Sequence, residues 1–183
     1  MKYDKINSEL FVKNRNNFMS RMSEKGIAFF NSNDIYPVSA DSTLPFEQHR
    51  DIFYLSGVDQ EESVLMLCPG ASNPNHREVL FLKETDDHIA VWEGPKLNKQ
   101  QAYETSGIKT VYWLDEMEKV IDEVVKECND IYYNHNEHYR AKIEMETREE
   151  RFNKWLENKF PDKTKKEVIQ FFNTLDLLKT PSN

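Results

Sequence analysis

The stretch PFEQHRDIFYLSGVDQEESVLML, residues 45–67, decides the fold of this chain. It sets a polar, charged lead-in, EQHRD, directly against the apolar and aromatic run IFYL. Ser56 and Gly57 interrupt that run, and a second apolar run, VLML, follows shortly after. Short apolar runs bounded by turn residues are typical of strands. The pattern therefore predicts two strands, at residues 51–55 and 63–68.

Working outward, the same features predict strands on both sides of this stretch. A short buried strand is expected before it, at residues 27–30. Two more strands are expected after it, at residues 78–82 and 88–92, and they continue an antiparallel meander. The polar segment 31–46 is long enough to suggest a role beyond connecting elements.

Helical periodicity marks the remaining elements. A helix is expected at residues 8–24, with Ser8 as its N-cap. Beyond residue 97, helices and strands alternate, which predicts parallel crossovers, at residues 98–106, 110–113, 115–128, 131–133 and 137–158. The fold class that follows is α/β, with one mixed sheet and helices on both faces.

Composition limits the function classes. The chain has 183 residues, enough for a single domain with a real core, and a net charge of −8. An acidic surface repels phosphates, so nucleic acid and anionic membranes are disfavoured as partners. The lysine-rich stretch 159–166 is interpreted as a solvated helix end. No run approaches the roughly 20 apolar residues of a membrane span, and the N-terminus lacks the apolar stretch of a signal peptide.

Only two cysteines occur, Cys68 and Cys128. Each ends an apolar pattern, so two buried free thiols are expected rather than a disulfide. Reduced thiols are typical of a cytoplasmic setting, which is the localisation that the sequence favours.

Candidate catalytic groups are sparse. His135 and His138 lie three positions apart but lack the H-E-x-x-H pattern, and are expected to be exposed loop residues. The pairs Glu61-Glu62 and Glu149-Glu150 are expected to be surface charge, because neighbouring side chains diverge on strands and helices. No nucleophile elbow and no glycine-rich phosphate loop occurs.

Four segments together carry a family resemblance. Residues 45–67, the strand 79–81, the segment AVWEGPKL at 90–97 and the tail LDLLKTPS at 175–182 follow one another in this order. They resemble the N-terminal domain of Xaa-Pro aminopeptidases (aminopeptidase P) and of the related creatinases and prolidases. The resemblance implies a ribonuclease-H-like architecture for residues 1–174. Residues 175–183 would then begin the linker to an absent C-terminal catalytic domain of pita-bread fold.

The resemblance also implies functional roles. Full-length enzymes of this family hold two divalent metal ions, commonly manganese, with five ligands in the catalytic domain, and none of those ligands matches a residue here. Trp92 corresponds to a tryptophan that walls the substrate pocket of a neighbouring subunit in bacterial relatives. Arg50, Asp51 and Tyr54 are expected at an interface between domains or subunits. The implied partners are the catalytic domain, further copies of the chain and proline-containing peptides.

Two other interpretations remain open at this point. The chain could be a stand-alone protein-interaction module that has the fold without the enzyme. A small nuclease of ribonuclease-H shape would need acids clustered on strand ends, and Asp51 and Glu78 are the two candidates.

Overall fold

A computed structural model describes residues 6–40, 42–85, 96–134 and 146–168. Five helices occur in this part of the chain: α1 (Ser8–Met19), α2 (Arg50–Ser56), α3 (Lys99–Ser106), α4 (Met117–Val124) and α5 (Arg148–Lys159). Eight strands accompany them: β1 (Gly26–Asn31), β2 (Pro37–Ser39), β3 (Ser42–Thr43), β4 (Ser63–Leu67), β5 (Glu78–Leu82), β6 (Thr110–Trp113), β7 (Asp130–Tyr133) and β8 (Thr164–Glu167).

Six of the strands form one mixed sheet in the order β6-β5-β4-β1-β7-β8. β4 is antiparallel to both β1 and β5, while β6, β7 and β8 pair in parallel with β5, β1 and β7 respectively. The antiparallel neighbours and the parallel crossovers expected from the sequence are therefore confirmed for the described strands. The predicted strand 88–92 lies outside the described residues.

Two apolar clusters cover the two faces of the sheet. One packs α1, α2 and α3 against one face, through residues such as Phe18, Leu55 and Ala102. The other packs α4 and α5 against the opposite face, through Ile121 and Leu156 among others. Neighbouring residues of β1 and β4 alternate between the clusters, as side chains on a pleated strand must. The predicted mixed sheet with helices on both faces is confirmed.

The predicted strand at residues 51–55 is wrong, because these residues form helix α2. His49 caps its first turn, and Gly57 ends it with φ +70° in the left-handed region. Ile52, Leu55 and Ser56 are the buried positions, at the i, i+3 and i+4 spacing of one helix face. An apolar run of four residues cannot distinguish strand from helix, and the packing of this face against the sheet decides between them.

The lysine-rich stretch 159–166 is a helix end only at its first residue. α5 ends at Lys159, and Thr164–Glu167 forms the edge strand β8, paired with β7. Charged side chains on an edge strand discourage pairing with another chain, which explains why its sequence looks unlike a strand.

Other boundaries differ from the sequence-based ones. Helix α1 is capped by Asn7 rather than Ser8 and ends at Met19. Of the predicted helix 137–158, the part from Arg148 onward is confirmed as α5, which begins after the cap Thr147, whereas residues 137–145 lie outside the described part. Among the described helices, none has the length and apolar character needed to cross a bilayer.

Candidate functional site

Three long segments between described elements follow strand ends at the same edge of the sheet. β1, β5 and β7 run in the same direction, and the segments 32–49, 83–98 and 134–147 follow their ends. We call this side the carboxyl edge and the opposite side the amino edge. In α/β sheets, ligands and partners bind at the carboxyl ends of parallel strands. The carboxyl edge is therefore the place to look for function.

The first polar group at the carboxyl edge is organised by Gln48. Its Nε2 donates to the carbonyl oxygens of Val58 and Gln60, at 3.0 and 2.9 Å, and its Oε1 accepts from the backbone N–H of His49 at 2.8 Å. Gln48 thereby ties the approach to α2 to the turn that leads into β4. One amide side chain thus fixes the start of α2 relative to the sheet.

The same turn holds the segment that precedes α3. Gln60 Oε1 accepts from the backbone N–H of Leu97 at 2.8 Å, and Lys96 forms an ion pair with Glu61. These contacts anchor the chain directly after residues 86–95, which the structure leaves undescribed.

A second polar group joins α2 to β7 and α5. His49 Nδ1 accepts from the backbone N–H of Asp51 at 3.3 Å, and Asn134 Nδ2 donates to the Asp51 carboxylate. Asn153 in turn donates to the carbonyl oxygen of Asn134 at 2.7 Å. The result is a buried polar chain from the N-terminus of α2 to the middle of α5.

Glu149 completes this group. Its Oε2 lies 3.7 Å from His49 Nε2, its side chain is 6% exposed, and neither carboxylate oxygen has a hydrogen-bond partner. Burial, with a smaller contribution from the charge of Asp51, raises the pKa of Glu149 to about 8. At neutral pH this carboxyl group is therefore mostly protonated and uncharged.

The pKa values of His49 and Asp51, the neighbours of Glu149, are shifted by the same burial. Burial lowers the pKa of His49, although the charge of Asp51 opposes the shift. Burial also raises the pKa of Asp51, against the opposing effects of His49 and Asn134. Because Nδ1 of a neutral His49 accepts a hydrogen bond, its proton lies on Nε2 and faces Glu149. In all three side chains, burial therefore favours the uncharged form.

Asp34 connects the 31–46 loop to α5. One of its carboxylate oxygens accepts from the backbone N–H of Arg148 at 2.8 Å, and the other pairs with the Arg151 guanidinium at 2.7 Å. A carboxylate at a helix N-terminus is favourable because unpaired N–H groups point at it. This loop also contains the β2–β3 hairpin, and it exposes the apolar side chains of Ile35, Val38 and Leu44.

The residues expected to form an interface have different surroundings. Arg50 is exposed on the first turn of α2, whereas Asp51 belongs to the polar group with His49. Tyr54 is half-buried against the first core cluster, and its carbonyl oxygen accepts from Asn14 at 2.8 Å. Trp92 lies outside the described residues. Asp51 alone of these joins the candidate site, and their interface roles stay predictions.

The prediction that Glu149 and Glu150 are both surface charge is wrong for Glu149. Periodicity carried the only signal that could have found it, because position 149 falls on the same face of α5 as the buried Asn153 and Leu156. Of the other acidic pair, Glu62 pairs with Lys83 and Glu61 with Lys96.

The geometry does not assemble a metal site from the described residues. No group of three or more His, Cys, Asp or Glu side chains there is arranged to hold a metal ion. The reason is visible at His49, where Asp51 and Glu149 face opposite ring nitrogens. His135 and His138 lie outside the described residues.

The acids considered for a nuclease are also separated. Asp51 lies at the carboxyl edge, whereas Glu78 begins β5 at the amino edge and pairs with Arg15. They cannot act on one phosphate.

Comparison with known proteins identifies relatives of the chain. A family model described as "Aminopeptidase P, N-terminal domain" matches residues 11–132. Xaa-Pro aminopeptidase 3 of Mus musculus is 27% identical over 154 residues, which cover 82% of this chain and 30% of that protein. Xaa-Pro aminopeptidase of Escherichia coli (strain K12) is 25% identical over 138 residues, covering 75% of this chain and 31% of that protein.

Solved structures show the same fold. An aminopeptidase P from Bacillus anthracis superposes with a TM-score of 0.80 at 23% identity, covering 94% of this chain and 40% of that one. Pseudomonas aeruginosa aminopeptidase PepP gives a TM-score of 0.70 at 19% identity, over 89% and 36% of the two chains. The chain thus spans well under half the length of these relatives.

Proposed function

Because the chain belongs to the aminopeptidase P N-terminal domain family, we propose that it is the non-catalytic domain of a metal-dependent Xaa-Pro aminopeptidase. The observation that carries the proposal is the family match over residues 11–132, in a chain that spans about a third of its relatives. The full-length enzyme would remove the N-terminal residue that precedes a proline. This domain would limit access to its active site and support self-association.

The catalytic metal ions would belong to the other domain. The residues described here do not fit a two-metal centre, because the acids beside His49 point at different nitrogens. We therefore assign no catalytic step to this chain and expect two divalent ions, with manganese as the candidate, in the catalytic domain.

Trp92 would wall the substrate pocket of a neighbouring subunit. An indole offers a large rigid apolar face suited to a proline ring or to the side chain before it. Support comes from the contacts that hold the chain just beyond it, between Lys96 and Glu61 and between Leu97 and Gln60. These contacts fix the position of the chain four and five residues after Trp92.

The carboxyl edge would face the catalytic domain or another copy of the chain. The exposed apolar side chains of Ile35, Val38 and Leu44, all in the segment between β1 and α2, support this. Arg50, Asp51 and Tyr54 would contribute at the neighbouring end of α2. The same exposed side chains also suit a stand-alone interaction module, and a reading frame without a ligand-bearing second domain would favour that alternative. A cytoplasmic location is proposed on the strength of the two free thiols.

Hydrolysis of an Xaa-Pro peptide by the purified chain tests the non-catalytic role. We expect no turnover, with or without added Mn²⁺. Metal-dependent turnover that co-purifies with the chain through successive columns would refute the proposal.

A chimera tests the role of Trp92. In it, this chain replaces the matching segment of the Escherichia coli enzyme. Trp92→Ala should lower kcat/KM for an Xaa-Pro peptide by about tenfold or more. Tyr103→Ala, which removes an exposed aromatic ring from α3, is the matched control. If both variants are equally active in a correctly assembled chimera, Trp92 does not contribute to the substrate pocket.

A further inference from the structure

The two cysteines of the chain lie in contact at the amino edge, on the side of the sheet opposite the candidate site. Cys68 directly follows β4 and Cys128 lies two positions before β7. Their Sγ atoms are 3.5 Å apart although 60 positions separate them in sequence. Both are free thiols, and no other cysteine occurs in the sequence. The fold therefore brings the only two thiols of the protein together.

The contact is held by the backbone around it. Ser72, in the loop after Cys68, donates its backbone N–H to the carboxylate of Glu127, which precedes Cys128, at 2.8 Å. Gly70 supports the same loop, because a Cβ there would lie 1.9 Å from the carbonyl oxygen of Glu24. The two sulfur-bearing segments thus keep their relative position.

The sulfurs are not equivalent. Cys128 has a lowered pKa, mainly because it accepts the hydrogen bond of the Cys68 thiol and also because the Lys163 ammonium is near. The Lys163 Nζ donates to the carbonyl oxygen of Cys128. The pKa of Cys68 is raised by the same thiol contact and by burial. The lowered pKa makes Cys128 the sulfur that ionises more readily, and therefore the one expected to react first, with Cys68 reacting second.

We propose that Cys68 and Cys128 form a reversible redox site, which hydrogen peroxide converts to an intramolecular disulfide across the amino edge. This inference is independent of the proposed function. The two residues are only 1% and 2% exposed, so a small oxidant suits the site better than a bulky disulfide. Exposed residues lie within two positions of each cysteine in the sequence: Gly70 after Cys68, and Glu127 and Asn129 on either side of Cys128.

The chemistry balances without a further reactant. The Cys128 thiolate attacks one oxygen of the peroxide, the O–O bond breaks, and hydroxide leaves and takes up a proton as water. The Cys68 sulfur, losing its proton, then attacks the sulfur of the Cys128 sulfenic acid, and the S–O bond breaks to release a second water. Two thiols are oxidised to one disulfide while one peroxide is reduced to two waters.

Such a pair would stay reduced in a reducing compartment and close during oxidative stress. Disulfides of this kind in cytosolic proteins are usually transient and redox-sensing. Closing the bond would link the turn after β4 to the segment before β7, two strands that lie on either side of β1 in the sheet.

The test is peroxide treatment of the purified folded chain, read by intact mass and by peptide mapping without reductant. We expect the loss of two hydrogens, a crosslinked peptide containing both cysteines, and full reversal by dithiothreitol. In guanidinium, closure should be slower by at least about tenfold, because an unfolded chain rarely brings these residues together. Equal closure rates in folded and unfolded protein would overturn the proposal.

Single serine variants separate the two roles. Cys68→Ser should stop at a sulfenic acid on Cys128 that dimedone traps, and Cys128→Ser should react more slowly with peroxide. Sulfinic acid on Cys128 of the wild-type chain, or disulfides between two chains in place of the internal one, would overturn the assignment. The wild-type measurement decides the question even if a variant folds poorly.

Discussion

At the scale of single residues, buried ionisable groups are the least ordinary feature of this protein. Glu149 is 5% exposed and Arg15 is fully buried, and their situations differ. Arg15 has an ion pair with Glu78 and donates to two backbone carbonyls, whereas Glu149 has no hydrogen-bond partner for either carboxylate oxygen. A buried charge costs stability unless it is paired. Glu149 therefore stays mostly protonated at neutral pH, whereas Arg15 is stabilised by its partners.

Glu149→Gln should remove a pH dependence of stability. The folded-state pKa of about 8 lies above the ordinary 4.5, so the stabilising contribution of this group is present below pH 4.5 and lost as pH rises through 8. The wild type should lose as much as about 4 kcal/mol over that range through this residue. The glutamine variant should not show this loss of stability, and it should be the more stable of the two proteins at pH 8.5.

Urea unfolding of both proteins at pH 5 and pH 8.5 checks this prediction. His49 and Asp51 also titrate, His49 with the opposite sign because its pKa is lowered. Both remain in the variant, so the difference between the two proteins isolates Glu149. If the free energies of unfolding of the two proteins differ by the same amount at both pH values, the prediction is contradicted.

Arg15→Met should destabilise the fold by about 3–5 kcal/mol. Its guanidinium donates to the carbonyl oxygens of Leu55 and Ser106, at 2.8 and 2.9 Å, and pairs with Glu78 at 3.0 Å. Removing it leaves three buried or half-buried acceptors without that donor. Chemical denaturation measures the loss, and Lys13→Met on the exposed side of the same helix should change stability by less than about 0.5 kcal/mol.

At the scale of elements, α2 and α3 end in the same way. Each closes with a serine followed by a glycine, and each serine Oγ donates to the carbonyl four residues earlier and accepts from the N–H two residues later. Gly57 and Gly107 both have positive φ, near +70°. Arg15 then binds the carbonyls of Leu55 and Ser106 next to these glycines. One side chain of α1 therefore ties the two helix ends together.

Gly57→Ala should cost about 2–4 kcal/mol. The added Cβ would adopt a positive φ and would lie 2.3 Å from the ring of Phe11. Thermal or urea unfolding measures the cost. Phe11→Leu replaces the ring with a smaller side chain. The double variant should therefore lose less stability than the two single variants added together, by about 1 kcal/mol or more. Simple additivity would show that the ring contact is not the cause.

At the scale of the whole molecule, one sheet supports two apolar layers, so the layers should unfold together. Ile52 lies in the cluster on one face and Ile121 in the cluster on the other, and both are fully buried. Ile52→Ala and Ile121→Ala should each cost about 2–5 kcal/mol while keeping a single transition.

Circular dichroism and tryptophan fluorescence during urea unfolding check this expectation. Val38→Ala, at a side chain that is 60% exposed, should leave stability nearly unchanged. Separate transitions for the two probes in either isoleucine variant would show that the layers fold independently.

The division between the two edges also belongs to this scale. The amino edge carries the thiol pair, while the carboxyl edge carries the buried polar group around His49 and Glu149. The charged lead-in EQHRD contributes Gln48, His49 and Asp51 to the carboxyl edge. Sequence reasoning recognised the lead-in as distinctive, but its partners Asn134 and Glu149 are 83 or more positions away.

The sequence by itself determined the family, the fold class, most strands, the helix α3 between Asn98 and Gly107, and the two free thiols. Each rests on local periodicity, on a capping residue or on the order of short motifs, and those are properties of neighbouring residues. The tertiary structure alone decided that residues 50–56 are a helix, that the lysine-rich stretch is the edge strand β8, and that Glu149 is buried. These outcomes depend on which distant surface covers a segment. Burial, pairing across a sheet and the pKa of a carboxyl group arise only when residues far apart in the chain come together.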